Sequence, residues 1–391
     1  MSVSFRRAMR SGLAILFGTF LALVVAELLL RVVYHPPTVT SGWVCSSSVP
    51  PQEQNQMGFR GHPIEYGDST LVLVLVGDSQ VEATHLAWDW MPECRLQSYL
   101  AGLLGRDVRV VSVAAQGYGQ DQQLLALEYY FRSFGADMVV LWETPANDLW
   151  NNTFPTHWPA DGWAKPTFWL EGGRLAGPSE QMGDRLPVPR CRLLALLRSA
   201  FARPSRDRDW EARLPRPYSP DTAWEGPVRL DWQQRWDTDL GLMRDENLAT
   251  EKSHLAIYLT PRSPRMQYSI DLTHKLLERI DSLAAVNGAS LVLFATAGPP
   301  DPTGDVDEAT YSLNGKFYHV SRDQYQRNVE DYNSGFTFFQ IPITVEDWKM
   351  GPLNSHLNEH ATDQVMQDLA GLLAPALAGG SARPGGAFLK D

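Results

Sequence analysis

The stretch Leu71-Val72-Leu73-Val74-Leu75-Val76-Gly77-Asp78-Ser79 is six alternating leucines and valines, stopped by a glycine and followed by two small polar residues. A run this short, half of it β-branched and without a polar position, predicts a strand buried on both faces rather than a helix. Two more valine-rich runs follow, Val108 to Val113 and Met138 to Trp142, and helical spacing fills the gaps over Cys94 to Leu104 and Asp121 to Phe134. Strands alternating with helices in this order predict an α/β fold with a parallel sheet. A long helical pattern, Ile270 to Val286, leads into another strand, Ser290 to Thr296. Phe336 to Ile341 reads as an edge strand and His360 to Leu377 as a closing helix.

Outside this framework the chain changes character. Arg6, Arg7 and Arg10 precede a 23-residue apolar stretch, Ser11 to Val33, interrupted only by Glu27 and Arg31. A membrane-spanning helix needs about 20 apolar residues and a signal-peptide core about 7 to 15, so the length favours a transmembrane anchor over residues 11–33. Glu27 and Arg31 stand four apart and can pair near the outer interface. The rival is a cleaved signal peptide, with Val24 and Ala26 before the cut and Glu27 opening the mature chain. Either way residues 1–10 stay cytoplasmic and the remainder faces the periplasm or exterior.

Residues 34–65, rich in Pro, Ser and Gln, read as a linker, and 66–378 as the folded domain. Residues 379–391 read as a flexible tail. Within the domain the pattern breaks between about 150 and 261, an insertion holding eight of the thirteen tryptophans: Trp150, Trp158, Trp163, Trp169, Trp210, Trp224, Trp232 and Trp236. The formal charge of −11 and the absence of a basic block beyond residue 10 argue against nucleic acid as a partner. Three cysteines, Cys45, Cys94 and Cys191, exclude a disulfide-dense scaffold and allow one bridge with one thiol left over.

In parallel α/β sheets ligands gather at the carboxyl ends of the strands. Ser79 follows the first strand at a helix start, where a hydroxyl suits either a nucleophile or an N-cap. Gln116-Gly117-Tyr118-Gly119 follows the second, with glycine N–H groups that can approach a ligand. Pro145-Ala146-Asn147-Asp148 follows the third and brings an uncharged amide donor. Asn354-Ser355-His356-Leu357-Asn358 lies in a loop before the last helix and offers a general base. Together they can form an acyl-transfer site: Ser79 attacks, His356 moves the proton, and the Ser79 N–H, Gly117 N–H and Asn147 side chain hold the oxyanion. His360 stands four residues after His356, but no carboxylate or cysteine set accompanies the pair, so no metal site is expected.

The blocks Val76-Gly77-Asp78-Ser79, Gln116-Gly117-Tyr118-Gly119, Asn147-Asp148-Leu149 and His356-Leu357-Asn358, with Gly58-Phe59-Arg60-Gly61 ahead of them, resemble those of the SGNH (GDSL-type) hydrolases, in particular membrane-anchored bacterial members. The resemblance covers about residues 57 to 150 and 263 to 375 and omits the insertion. It implies a flavodoxin-like three-layer α/β/α sandwich, a serine nucleophile with a histidine base, and no metal or organic cofactor. It departs at one place, because the family usually sets an aspartate two or three residues before the histidine and this chain has Leu353 and Asn354. Asn354 and Asp347 are the two candidates for orienting the imidazole, beside a dyad with neither.

These readings together predict a serine acyl esterase or O-acyltransferase acting on ester-linked acyl groups, with a cell-surface polysaccharide as one expected substrate. The alternative is a non-catalytic polysaccharide-binding or assembly protein that kept the fold and lost the acid. A phosphate site at the Ser79 helix start ranks lower, since the Gly-rich loop and lysine of such sites are missing. Trp158, Trp163 and Trp169 are the rings expected to rim the cleft and stack on sugars, the other reading being a satellite core.

Overall fold

The computed structural model describes residues 3–33, 38–40, 43–45, 49–156, 165–179, 191–194, 196, 210–229, 247–297, 306–351 and 354–378. Five strands form the central sheet: β1 (Leu71–Gly77), β2 (Val108–Ala114), β3 (Met138–Glu143), β4 (Ser290–Ala297) and β5 (Phe338–Pro342). All are parallel, in the order 2-1-3-4-5 with β2 and β5 at the edges. The helices are α1 (Val3–Val33), α2 (Ser79–Glu82), α3 (Pro92–Leu104), α4 (Gln120–Tyr130), α5 (Pro145–Thr153), α6 (Pro264–Val286), α7 (Arg322–Tyr332) and α8 (Glu359–Ala378).

Period-two alternation in β1 sorts its side chains between two cores. Leu71, Leu73 and Leu75 pack with Leu96 and Leu100 of α3 and with Val365, Met366 and Leu369 of α8. Val72, Val74 and Val76 pack on the other face with Leu124 and Leu127 of α4 and Leu272, Leu276 and Ile280 of α6. Helices on both faces leave β1 no solvent side, which is why the sequence shows no polar alternation there. Burying each such side chain contributes about 1.5–3 kcal/mol, so this run is the energetic centre of the α/β/α sandwich the sequence predicted.

Several boundaries move. Residues 49–65, read as linker, pack on the domain: Met57, Phe59 and Ile64 join the core on the α4–α6 side. Asn55 organises the segment, donating Nδ2 to the Ser112 carbonyl at 2.9 Å while its Oδ1 accepts the N–H groups of Met57 and Phe59. The Pro-, Ser- and Gln-rich composition concealed this, since a few anchors suffice to hold an irregular segment. The insertion is also narrower than 150–261, because Trp150 is buried within α5 and Leu248 and Leu255 to Leu259 belong to the same core. A hairpin, Trp169–Glu171 with Arg174–Ala176, is part of what remains.

Asn147 lies in the first turn of α5 rather than in a loop, because Pro145 stands at the first helical position, where its fixed φ is already helical. His356 likewise sits on a short strand, Asn354–Leu357, paired antiparallel with Lys349–Gly351 ahead of α8. In α1, Gly12–Val33 is long and apolar enough to cross a membrane, and none of it is buried by the rest of the chain. Cys94 and Cys191 are free thiols, and the side chain of Cys45 lies outside the described residues.

Candidate active site

Strand order 2-1-3 reverses direction at β1, and such a switch point opens a crevice at the carboxyl ends of β1 and β3. Ser79 leaves β1 there and Asn147 leaves β3. The turn after β1 is tight: a Cβ on Gly77 would stand 2.5 Å from Val81 Cγ2 and 3.2 Å from the Trp142 carbonyl. Only glycine lets α2 begin at once. Asp78 is the N-cap, its Oδ1 accepting the Gln80 N–H at 2.9 Å. That corrects the N-cap reading of Ser79, whose hydroxyl is left for other work.

The Ser79 hydroxyl meets His356 Nε2 at 2.8 Å, the two residues being 277 apart in sequence. Asp78 Oδ2 accepts the Asn147 amide Nδ2 at 3.2 Å. One amide hydrogen is thereby fixed on a buried carboxylate and the second remains to point at a ligand. Gly117 has φ +70°, the left-handed region that suits glycine, and its N–H has no acceptor among the described residues. The Ser79 N–H has none either, as expected in the first turn of a helix. Ser79 and Asn147 thus stand at the carboxyl ends of β1 and β3, and Gly117 follows β2 on the same edge.

Burial lowers the His356 pKa below the ordinary histidine value, and the Asp78 carboxylate opposes this. The ring is therefore a neutral base at neutral pH. A second histidine, His85, lies against it, the rings tilted at 43° with centroids 4.7 Å apart, and meets the Leu357 carbonyl through Nε2 at 3.1 Å. Burial, then the neighbouring His356, pushes His85 down to about 4, so it packs as an uncharged ring. Arg60 fixes the loop carrying it: its guanidinium donates to the carbonyls of Glu82, Ala83 and Leu86 and pairs with Glu53. Ala83 has φ 46°, so α2 ends abruptly, and a buried cation on its last carbonyls suits the negative end of a helix.

Beneath the crevice lie three buried carboxylates. Asp148 accepts Gln120 Nε2 and the Thr144 N–H, both at 2.8 Å, and its pKa is driven well above the carboxylate range by burial and by the charges of Asp78 and Glu143. Glu143 accepts Asn333 Nδ2 at 2.9 Å and the Tyr332 hydroxyl at 3.2 Å, and burial pushes it up to about 8. Burial, and for Asp148 the neighbouring carboxylates, favour the neutral forms of Glu143 and Asp148.

Of the two orienting candidates, Asp347 makes no bond to His356 among the described contacts. Asp347 is exposed on the hairpin, and its described contact is its backbone carbonyl, which accepts Asn358 Nδ2. Asn354 lies on the short strand that carries His356, its side chain outside the described residues. Trp158 and Trp163 also fall outside them. Trp169 meets Trp210 edge-on at 6.3 Å, and Trp210 Nε1 donates to the Thr153 carbonyl at the far end of α5 from Asn147. Its aromatic partner is another insertion tryptophan. Sequence reasoning missed Asp78, His85, Arg60, Glu143 and Asp148. Of these, Asp78, Arg60 and Asp148 stood inside the quoted motif blocks without being given a role, and Asp78 had a further local signal, an acidic N-cap position directly before a helix.

His360, four residues on, faces Trp90 at 6.4 Å. One group with metal-ligand chemistry lies elsewhere: atoms of His62, Glu93 and Cys94 fall within 4.8 Å of one another. Glu93 is engaged with the His62 N–H at 2.7 Å and the Ser112 N–H at 2.9 Å, and burial pushes the Cys94 thiol up to about 12. This trio locks α3 to β2 and the Arg60 segment.

No protein-family model and no curated relative matches this chain. Solved structures with a similar trace include TesA, 14% identical over 78% of this chain and 98% of its own, with a TM-score of 0.37. A carbohydrate acetylesterase from Sinorhizobium meliloti is 10% identical over 78% and 99%, at 0.33. An acetyl xylan esterase from Butyrivibrio proteoclasticus is 12% identical over 78% and 64%, at 0.32. The overlap is loose, and the chemistry is read from the side chains above. The sheet order and layers are those that the resemblance to the SGNH hydrolases implies.

Proposed function

We propose that this protein is a serine-dependent acyl esterase or acyltransferase, held to a membrane by α1 with its domain outside. The observation that carries the reading is the 2.8 Å contact between Ser79 Oγ and His356 Nε2 at the switch point. In the forward step the hydroxyl attacks an ester carbonyl as His356 takes its proton. The tetrahedral oxyanion is held by the Ser79 and Gly117 N–H groups and the Asn147 amide, and the alkoxide leaves with the proton from His356. Water then hydrolyses the acyl-enzyme, or a sugar hydroxyl accepts the acyl group, with His356 as base again. O-acyl groups of a cell-surface polysaccharide are the substrate class this reading favours. The test is labelling with a fluorophosphonate probe, which requires an activated serine. The native chain should label at Ser79, Ser79→Ala should not, and His356→Ala should label about 10²- to 10⁴-fold more slowly. Equal labelling of the Ser79→Ala chain would refute the assignment.

A second reading, a non-catalytic polysaccharide binder on the same fold, draws support from Asp347, whose carboxylate makes no described bond to His356. It predicts no labelling of the native chain while the oligosaccharide is still bound.

A further inference from the structure

The strand that carries His356 is short and lies outside the central sheet, Asn354–Leu357 pairing with Lys349–Gly351 in an irregular register. A two-stranded ladder of this length is marginal by itself, yet a general base has to be held within about 0.5 Å of its productive position. The next residue along supplies the hold. Leu357 is buried in the same core as Val81 and Val365. Its N–H donates to Gln80 Oε1 at 3.3 Å, and its carbonyl accepts from His85 Nε2 at 3.1 Å. An uncharged imidazole carries a single N–H, and a carbonyl acceptor puts it on Nε2. Both backbone polar groups of Leu357 are thereby gripped.

Both grips come from the segment that carries the nucleophile. Gln80 follows Ser79, with its own N–H on Asp78 Oδ1 at 2.9 Å, and His85 lies on the loop that leaves α2. A single helical turn such as α2 is not rigid unaided. Arg60 braces the loop, its buried guanidinium collecting the carbonyls of Glu82, Ala83 and Leu86 and pairing with Glu53 at 2.8 Å. The His85 ring also lies against His356 itself. Beyond Leu357 the restraint continues through Asn358, whose N–H donates to the Trp348 carbonyl at 2.7 Å and whose Oδ1 accepts the Ala361 N–H at 3.0 Å. We propose that Gln80 and His85 are positioning residues for the general base: they clamp the backbone of Leu357 and so set the His356 ring against Ser79 from the nucleophile's own loop. Nucleophile and base then move as one body although 277 residues separate them. This rests on the serine-esterase reading.

Turnover of a nitrophenyl acetate and fluorophosphonate labelling, both on the full chain in detergent, test it. His85→Phe keeps a ring against His356 and removes the N–H, Gln80→Met removes the acceptor at nearly equal volume, and His85→Gln restores an amide N–H where Nε2 stood. In His85→Phe and in Gln80→Met, kcat and labelling rate should fall about 10- to 100-fold, the order of loss that a misplacement of about 1 Å brings. KM should stay within about twofold, because the ester does not touch the clamp. His85→Gln should regain most of the loss. The double variant should lose less than the product of the single losses, since both act through Leu357. Thr84→Ala, at the exposed neighbour of His85, should match the native chain. Native kcat in His85→Phe, or a His85→Gln chain as slow as His85→Phe, refutes the clamp. A raised KM with a lowered melting temperature would make His85 a packing residue and refute it too; should His85→Phe not fold, Gln80→Met carries the same expectations. If the native chain neither turns over nor labels at Ser79, it is the serine reading that fails, and hydrogen exchange then decides the clamp. The Leu357 amide should exchange faster in Gln80→Met than in the native chain, and equal exchange would overturn the proposal.

Discussion

Glu143→Gln should change how stability depends on pH. Glu143 ends β3, immediately before the turn that carries Asn147, and burial raises its carboxyl from the ordinary 4.5 to about 8. The sign follows from proton binding: between these pH values the folded chain keeps a proton that the unfolded chain has lost. Stability therefore falls by about 1.4 kcal/mol per pH unit across that window and levels off above it. Over roughly 3.5 pH units the loss reaches about 5 kcal/mol at most, on the order of 10 °C in melting temperature for a domain this size. Glutamine mimics the protonated acid, its carbonyl still accepting from Asn333 and Tyr332. Its amide would occupy the position of Oε1, which has no partner among the described residues, a cost of about 1–3 kcal/mol that does not vary with pH. Removing the charge also relieves Asp148, which acts in the same direction. Melting temperatures of both full-length chains in detergent, from pH 5 to 9, should converge or cross in favour of glutamine as pH rises. Parallel curves would mean that Glu143 does not hold its proton in the folded protein, and the stacked-carboxyl account would fall with them.

Other expectations are quickly stated. The pH-rate profile should rise with a midpoint below about 6.5, because burial favours the neutral His356, and a midpoint above it would contradict the assigned environment. Asn354→Asp should raise the turnover of an ester if the orienting position is vacant, while Asp347→Asn, removing an exposed carboxylate not bonded to His356, should leave it within about twofold; a loss of orders of magnitude in Asp347→Asn would restore that residue as the acid. Gly119→Ala should destabilise by about 1–3 kcal/mol, since its Cβ would lie 2.5 Å from Asn152 Oδ1, the side chain that bonds Gln120 and Thr273; an unchanged denaturation midpoint would show that α4 and α5 can separate freely. Trp169→Ala should lower the melting temperature and reduce rates equally on a small ester and a polymer, whereas selective loss on the polymer would return this ring to the cleft.

The sheet was legible in the sequence because a strand covered on both faces is apolar throughout, as β1 is, and the valine-rich runs of β2 and β3, despite Arg109 and Ser112 in β2, end within a residue of their predicted bounds. The order of small motifs along the chain likewise led to Ser79 and His356, which the fold brings into contact, since the residues just after parallel strands have one place to go, the carboxyl edge. The long apolar helix α1 was legible too, because hydrocarbon thickness translates directly into residue count. Tertiary structure decided what depends on groups far apart in sequence. Asp78 could be read as a cap, but not as the carboxylate that steadies Asn147 and faces His356. Arg60 and His85 become site residues only because a buried guanidinium gathers three carbonyls of one loop beside the histidine. Glu143 and Asp148 acquire their protons from burial, a property of the packed chain and of no local motif. Glu27 read as half of a pair with Arg31 near the outer interface, and the fold also gave it the N–H groups of Arg192 and Leu193, more than 160 residues away. Periodicity reports which face a residue turns to the core; which distant polar group waits there is set by the way the layers close.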